Sequence, residues 1–282
     1  MAFATLGDGD RLYYEVHGHG HPLFLVTGVY GYASFWPPSV VETLARHYLV
    51  VVHDQRGVGQ SSRSRVRYSV AQMCDDVLRL YETLGVVRAH FVGHSLGGAI
   101  AQTMALDHPD MIDRLVLSAT WPGFDPYFDN LIKLRRDMLA RSDWNLYARL
   151  AALMMKPNWW VRDHANELFG VALPGPPDDV TRSIMIDRLD AILAFDRRAD
   201  LWRIAASTLV IGARDDTWTP PYCAIELGAK IPNAETMIIP EGQHFFPQVF
   251  PERFADAILD FLGRPTSTVP AANGARERSR SP

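Results

Sequence analysis

The run AHFVGHSLGGAIAQTMALDHP, residues 89–109, passes from a short apolar strand into a small-residue helix through Gly93-His94-Ser95-Leu96-Gly97-Gly98. This is a G-x-S-x-G sequence in the strand–turn–helix setting that gives it meaning. The turn is so tight that the positions two before and two after the serine cannot carry bulk, and both are glycine. Its sharpness lifts the Ser95 hydroxyl above the sheet edge, with a helix N-terminus behind it. That helix end offers the Leu96 N–H and a positive dipole to a developing oxyanion. The run lacks both the G-x-G-x-x-G spacing and the lysine of a phosphate-binding loop, so it does not read as a nucleotide site.

Outward from this turn, strand-like and helix-like segments alternate. RLYYEVH (11–17), PLFLVTG (22–28), YLVVVHDQ (48–55) and RLVLSAT (114–120) read as strands. The second and third are almost wholly apolar, as strands buried on both faces are. SVAQMCDDVLRLYETLG (69–85) has a serine N-cap, a glycine stop and apolar residues at 70, 73, 74, 77, 81 and 84, the stripe of an amphipathic helix. Such alternation predicts an α/β fold, a mostly parallel central sheet with helices on both faces. From about 124 to 197 only helical stretches appear, rich in Leu, Met and Trp and divided by LPGPPDD (173–179). The alternation resumes with TLVIGA (208–213), PPYCAIELGAKI (220–231), ETMIIP (235–240) and PERFADAILDFL (251–262). The predicted organisation is a core over 1–123 and 198–263, an inserted helical cap over 124–197, and a disordered basic tail over 264–282.

Composition excludes several classes of function. Hydrophobic residues are 48% of the 282 and charged residues 21%, enough for a sizeable core and too apolar for a disordered chain. The net charge of −4 leaves no electrostatic footprint for nucleic acid. Two cysteines, Cys74 and Cys223, cannot build a disulfide framework or a four-thiolate zinc site. No apolar run approaches the roughly 20 residues of a membrane helix. The N-terminus lacks a basic segment followed by an apolar one, so the expected location is cytoplasmic. His17, His19 and His21 alternate along a Gly-rich turn, which reads as solvated rather than as a metal site.

A serine hydroxyl needs a base and an orienting acid from elsewhere in the chain. His244, in PEGQHFFP (240–247), follows the last predicted strand and precedes the last helix, at the carboxyl edge of the sheet. It is the expected base, whereas His94 is expected to point away from the nucleophile. The acid lies in GARDDTWTP (212–220), where Asp216, four residues before Pro220, is preferred over Asp215. Its task is to hold the imidazole tautomer and stabilise the imidazolium. The loop Thr27-Gly28-Val29-Tyr30-Gly31 follows the strand PLFLVTG, which makes the Val29 N–H the expected second oxyanion donor beside that of Leu96.

These motifs resemble the α/β-hydrolase superfamily over about residues 10–263. HDQRGVGQSS (53–62) is similar to the family's D-x-R-G-x-G-x-S loop, in which Asp54 and Arg56 are implied to brace the turn. Within the superfamily the chain looks most like β-ketoadipate enol-lactone hydrolases and the aminoacrylate hydrolases of pyrimidine breakdown. The supporting residues are HDQRGVGQSS, YSVAQMCDDVLRLYETLGVVRAHFVGHSLGGA and the run from ARDDTWTPP to GQH. One departure stands out: Thr27 occupies the place where the family usually has histidine. The resemblance implies the α/β-hydrolase fold, an Asp216–His244–Ser95 triad and no cofactor or metal.

Gly28, Tyr30, Trp36, Trp121, Trp218 and Phe245 are expected to line the substrate pocket, because they sit on or beside the proposed catalytic loops. The reading is a serine hydrolase cleaving a small hydrophobic carboxylic ester or lactone, monomeric or homodimeric, with no nucleic-acid or membrane partner. Two rival readings use the same triad: hydrolysis of a carbamate, amide-like or C–C bond, and a ligand receptor with slow hydrolysis.

Overall fold

A computed structural model describes residues 2–166 and 177–264. Most of the predicted LPGPPDD break, and the predicted tail from 265 onward, lie outside the described residues. The strands are β1 (Ala2–Thr5), β2 (Arg11–His17), β3 (Pro22–Val26), β4 (Leu49–His53), β5 (Ala89–His94), β6 (Ile112–Ser118), β7 (Ser207–Ala213) and β8 (Ala234–Ile239). They form one sheet in the order β1-β2-β4-β3-β5-β6-β7-β8, in which β2 runs antiparallel to both its neighbours, β1 and β4, and every other pair is parallel. The apolar runs PLFLV and LVVV are buried because neighbours and helices cover both faces of β3 and β4.

One face carries α1 (Pro38–Ala45), with α10 (Pro251–Gly263) packed beside it. The other carries α2 (Val70–Leu84), α3 (Leu96–Asp107) and α8 (Pro221–Lys230). Ser69 caps α2 by accepting from the Gln72 N–H at 3.1 Å, and Gly85 ends it in the left-handed region at φ 64°. Between β6 and β7 stand α4 (Pro126–Ala140), α5 (Trp144–Met154), α6 (Asn158–Asp163) and α7 (Asp179–Leu193). Pro-rich PPYCAI opens α8 and a four-residue turn, α9 (Phe246–Val249), precedes α10.

The 54–62 loop is braced from both ends. Asp54 accepts from the Ala33 N–H and the Gln60 N–H, each at 2.8 Å. Arg56 forms a two-pronged pair with buried Asp76, at 2.7 and 3.0 Å, and also reaches Asp8 and Asp10. Burial lowers the histidines that sit at strand ends. His53 and His90 are both pushed down to about 4 by burial, and His94 well below the ordinary histidine value. These groups stay neutral in the fold while the unfolded chain takes up protons below about pH 6.5. Stability is therefore lost as pH falls from about 6.5 towards 4. At pH 5 the fully buried His53 is expected to contribute about 2 kcal/mol of that loss. Urea unfolding at pH 7.5 and pH 5.0 checks this, and an unchanged midpoint would contradict the buried, neutral assignment.

Among the described residues no helix is long and apolar enough to cross a membrane.

Candidate active site

The site is assembled by strand order. β3 and β5 are parallel neighbours, so their carboxyl ends, and the loops that leave them, emerge side by side. This is where the sheet reverses its winding, with β4 on one side of β3 and β5 on the other. Ser95 leaves β5 at φ 54° and ψ −118°, a conformation that strains any residue with a Cβ. The strain is held by neighbours: the Ser95 N–H donates to the Ser118 carbonyl at 2.9 Å, and Thr120 Oγ1 donates to the Ser95 carbonyl at 2.9 Å. The flanking glycines permit the turn. A Cβ on Gly93 would fall onto the Gly97 carbonyl, and one on Gly97 onto the Val26 carbonyl.

The ends of β7 and β8 supply the partners. His244 Nε2 lies 3.0 Å from Ser95 Oγ, and its Nδ1 lies 3.0 Å from Asp216 Oδ2. His244 and Asp216 are each 3% exposed. Asp216 also accepts from the Trp218 N–H at 2.7 Å, the Thr219 N–H at 3.0 Å and Thr219 Oγ1 at 2.8 Å. Its carboxylate is thus aimed by the turn that follows it. Asp215 points elsewhere and accepts from the Gly242 and Gln243 N–H groups at 3.1 and 2.9 Å, tying down the segment that carries His244. His94 does not point away from the catalytic loops. Its ring lies 5.1 Å from that of His244, with Nδ1 3.0 Å from Ser118 Oγ.

Gly28 approaches Ser95 so closely that a Cβ there would lie 3.0 Å from the serine Cβ. Among the described residues the Val29 N–H donates to no protein acceptor, and the Leu96 N–H, first in α3, has no acceptor within its helix. The loop that has Thr27 in place of histidine is held by other groups. Gln55 Nε2 donates to the Thr27 carbonyl at 2.7 Å. Arg188, from α7, donates to the Val29 carbonyl at 3.0 Å, to Gln55 Oε1 at 2.5 Å and to the Arg56 carbonyl at 3.3 Å. Burial lowers Arg188 to about 10. One side chain therefore links the inserted helices to both loops.

A cavity opens above Ser95, lined by Gly28, Val29, Tyr30, Trp218, His244 and Phe245 together with residues of α4 and α7 and with Met155, which follows α5. Apolar Phe35, Phe128, Ile132, Met155 and Ile192 line it as well. The volume open to the centre of a water-sized sphere is about 20 Å³, little more than one water needs. An organic substrate must displace lining groups to enter. The helices between β6 and β7 meet the loops that carry Asp216 and His244 directly: Trp218 Nε1 donates to the Met154 carbonyl at 3.2 Å, and the Phe245 N–H to the Met155 carbonyl at 2.8 Å.

Two of the expected lining residues lie elsewhere. Trp36 stacks on Phe254 with ring centroids 5.8 Å apart and donates from Nε1 to the Leu25 carbonyl at 3.3 Å, in the core under α10. Trp121 packs against Phe128 and Phe195 in the core beneath α4. Nearness to a catalytic loop in sequence does not say which way a side chain turns. Conversely, Arg135 and Arg188 were not expected. The signal was present in both cases, a charge on a buried stripe: Phe128, Ile132, Arg135 and Leu139 in α4, and Ile184, Arg188 and Ile192 in α7. At the opposite end of the sheet His21, His90 and Asp113 approach one another. There Asp113 already pairs with His21 at 2.5 Å and with Arg88 at 2.6 Å.

Comparison with known proteins places this geometry in context. A family model described as the alpha/beta hydrolase fold matches residues 21–153. The chain is 33% identical over 263 residues to "Putative carbamate hydrolase RutD" of Azorhizobium caulinodans, covering 93% of this chain and 98% of the relative. A hydrolase from Pseudomonas aeruginosa superposes with a TM-score of 0.79 at 30% identity, over 93% of this chain and 98% of that one. The enol-lactonase from Burkholderia xenovorans shares the fold, with a TM-score of 0.84 at 24% identity over 93% and 100% of the two chains. With its mostly parallel sheet, its elbow at Ser95 and relatives matched along nearly their whole length, this chain belongs to the α/β-hydrolase fold family.

Proposed function

We propose that the protein is a serine hydrolase that cleaves a small carboxylic ester or lactone through Ser95, His244 and Asp216. The observation that carries this reading is the hydrogen-bonded line from Asp216 through His244 to Ser95, ending at a mostly apolar cavity. Ser95 Oγ adds to the substrate carbonyl carbon while His244 Nε2 takes its proton. The oxyanion rests on the Val29 and Leu96 N–H groups, and collapse expels the alkoxide, which takes the proton back from His244. Water then gives a proton to His244 and adds to the acyl-serine, and collapse releases the acid as His244 returns that proton to Ser95 Oγ, so the balance is ester plus water to acid plus alcohol. Asp216 orients the imidazole and stays ionised throughout. The helices over 124–197 act as a cap over this chemistry, excluding water from the closed site.

A carbamate is the second reading, favoured by the RutD relative, which is named for that bond and matches over 93% of this chain. A panel of simple esters, enol-lactones, carbamates and vinylogous diketones separates the bond types. The site itself is tested by mass spectrometry after treatment with a fluorophosphonate. Label on Ser95 that disappears in His244→Ala is the expected result, and an unlabelled wild-type protein would overturn the reading.

Arg188 offers a test of the oxyanion loop. Arg188→Met keeps the bulk of the stem but frees the Val29 carbonyl, so the loop loses its register. The expected result is a fall in kcat of about 10- to 100-fold with a smaller change in KM, since the lost alignment matters most when negative charge develops. Equal kcat values would show that the loop is held without this brace.

A further inference from the structure

The cavity wall contains a charge that no carboxylate among the described residues neutralises. Arg135 lies on the buried face of α4, 2% exposed, and lines the cavity with Ser95 and His244. A guanidinium keeps its proton under all conditions in which proteins stay folded. Arg135 Nη2 donates to the Tyr147 hydroxyl at 2.6 Å and to the Tyr30 hydroxyl at 3.3 Å. The guanidinium carbon stands 4.4 Å from the centre of the Trp218 ring and 5.1 Å from that of Tyr147. All these partners are neutral. Among the described residues no carboxylate pairs with Arg135, its Nε is buried without an acceptor, and Nη1 makes no hydrogen bond to the protein. The contrast with the other buried arginines is plain. Arg56 meets three aspartates, Arg188 spends its donors on two carbonyls and an amide, and Arg114 donates to the Phe261 and Arg264 carbonyls.

A buried cation with unused donors beside a nucleophile is built to receive an anion. We propose that Arg135, with the Tyr30 hydroxyl, seats a carboxylate of the substrate, so that the molecule cleaved is a small acid bearing the scissile acyl bond. The inference rests on reading the Ser95 cavity as the substrate site and narrows it. Apolar walls hold the body of the molecule, and one charge fixes its direction. Tyr30 follows Val29 in the chain, so an anion held there sets the substrate in register with the oxyanion loop. The small closed volume favours short acids.

Methyl half-esters of malonate, succinate and glutarate test the proposal against neutral methyl esters in which an isopropyl group replaces the carboxylate. At pH 7.5 the best half-ester is expected to exceed its neutral partner in kcat/KM by about 10- to 100-fold. In Arg135→Met that ratio is expected to fall towards one. Reading a ratio cancels any general loss of active protein. A second measurement leaves Arg135 in place and needs no turnover: calorimetry of propionate and monomethyl succinate with the Ser95→Ala protein, against propionamide and the neutral ester. The acids are expected to bind at least about tenfold more tightly. Hydrolysis of neutral esters with no acid preference and no acid binding would overturn the seat while leaving the Ser95 chemistry standing. Arg135-dependent acid binding with no hydrolysis of any ester would uphold the seat and overturn the hydrolase reading.

Discussion

Replacing Ser95 by alanine is expected to lower kcat for the best substrate by about 10⁴- to 10⁶-fold, and His244→Ala by a similar factor, because the two act as one unit. The double variant should therefore be little worse than either single one. Asp216→Asn is expected to cost about 10⁴-fold, since the amide can hold the imidazole in the wrong tautomer while leaving its position unchanged. Asp215→Asn separates the two neighbouring carboxylates. Asp215 ties the Gly242 and Gln243 N–H groups and touches no catalytic atom, and an asparagine oxygen still accepts from one of them. A fall of about tenfold or less is expected there, the size of one weakened hydrogen bond. Steady-state kinetics of the five variants tests the assignment, and an Asp215→Asn loss as large as that of Asp216→Asn would sink it.

Gly97→Ala is expected to destabilise the protein by more than about 4 kcal/mol, with Gly93→Ala close behind. In each case the added Cβ meets a backbone carbonyl, on Val26 or Gly97, rather than a side chain that can turn away. Relief requires separating the start of α3 from β3 for Gly97 and from β5 for Gly93, the approaches that hold the Gly28 loop beside Ser95. Gly263→Ala is the matched control, because a Cβ there meets nothing within 4 Å. It is expected to change stability by less than about 0.5 kcal/mol. Thermal melting compares the three. A midpoint for Gly97→Ala within a degree or two of the wild type, where a fall of about 10 °C or more is expected, would show that the turn is not as tight as drawn.

Much of the fold was legible because its signals are local. Strand periodicity, the serine and glycine that bound α2, and the strand–glycine–serine–helix turn each follow from residues a few positions apart. β1 escaped notice because AFAT is a four-residue edge strand whose only neighbour is β2. The relation of Ser95 to His244 was readable because both stand at carboxyl ends of strands in a parallel sheet, which gathers such loops at one edge. Side-chain direction was not readable. Trp36 and Trp121 turn into cores, and Arg135 turns inward from a helix that also carries solvent-facing Arg136. What decides these cases is which face of a helix meets the sheet. The buried faces of α4 and α7 each include an arginine, Arg135 and Arg188, which a composition rich in Leu, Met and Trp does not locate.

The Arg188 bridge has a consequence for the order of events. A substrate too large for the closed cavity enters only when lining groups move, and α7 is among the elements that line it. If α7 withdraws, the guanidinium leaves the Val29 carbonyl with it, and the amide on the far side of that residue loses its aim. On the proposed reading the helices over the site would work as an interlock: the hydroxyl would be ready at all times, and the receptacle for the oxyanion would form only once Arg188 is seated on the Val29 carbonyl. Water reaching an open site would find a nucleophile and a base with no stabilised intermediate to share.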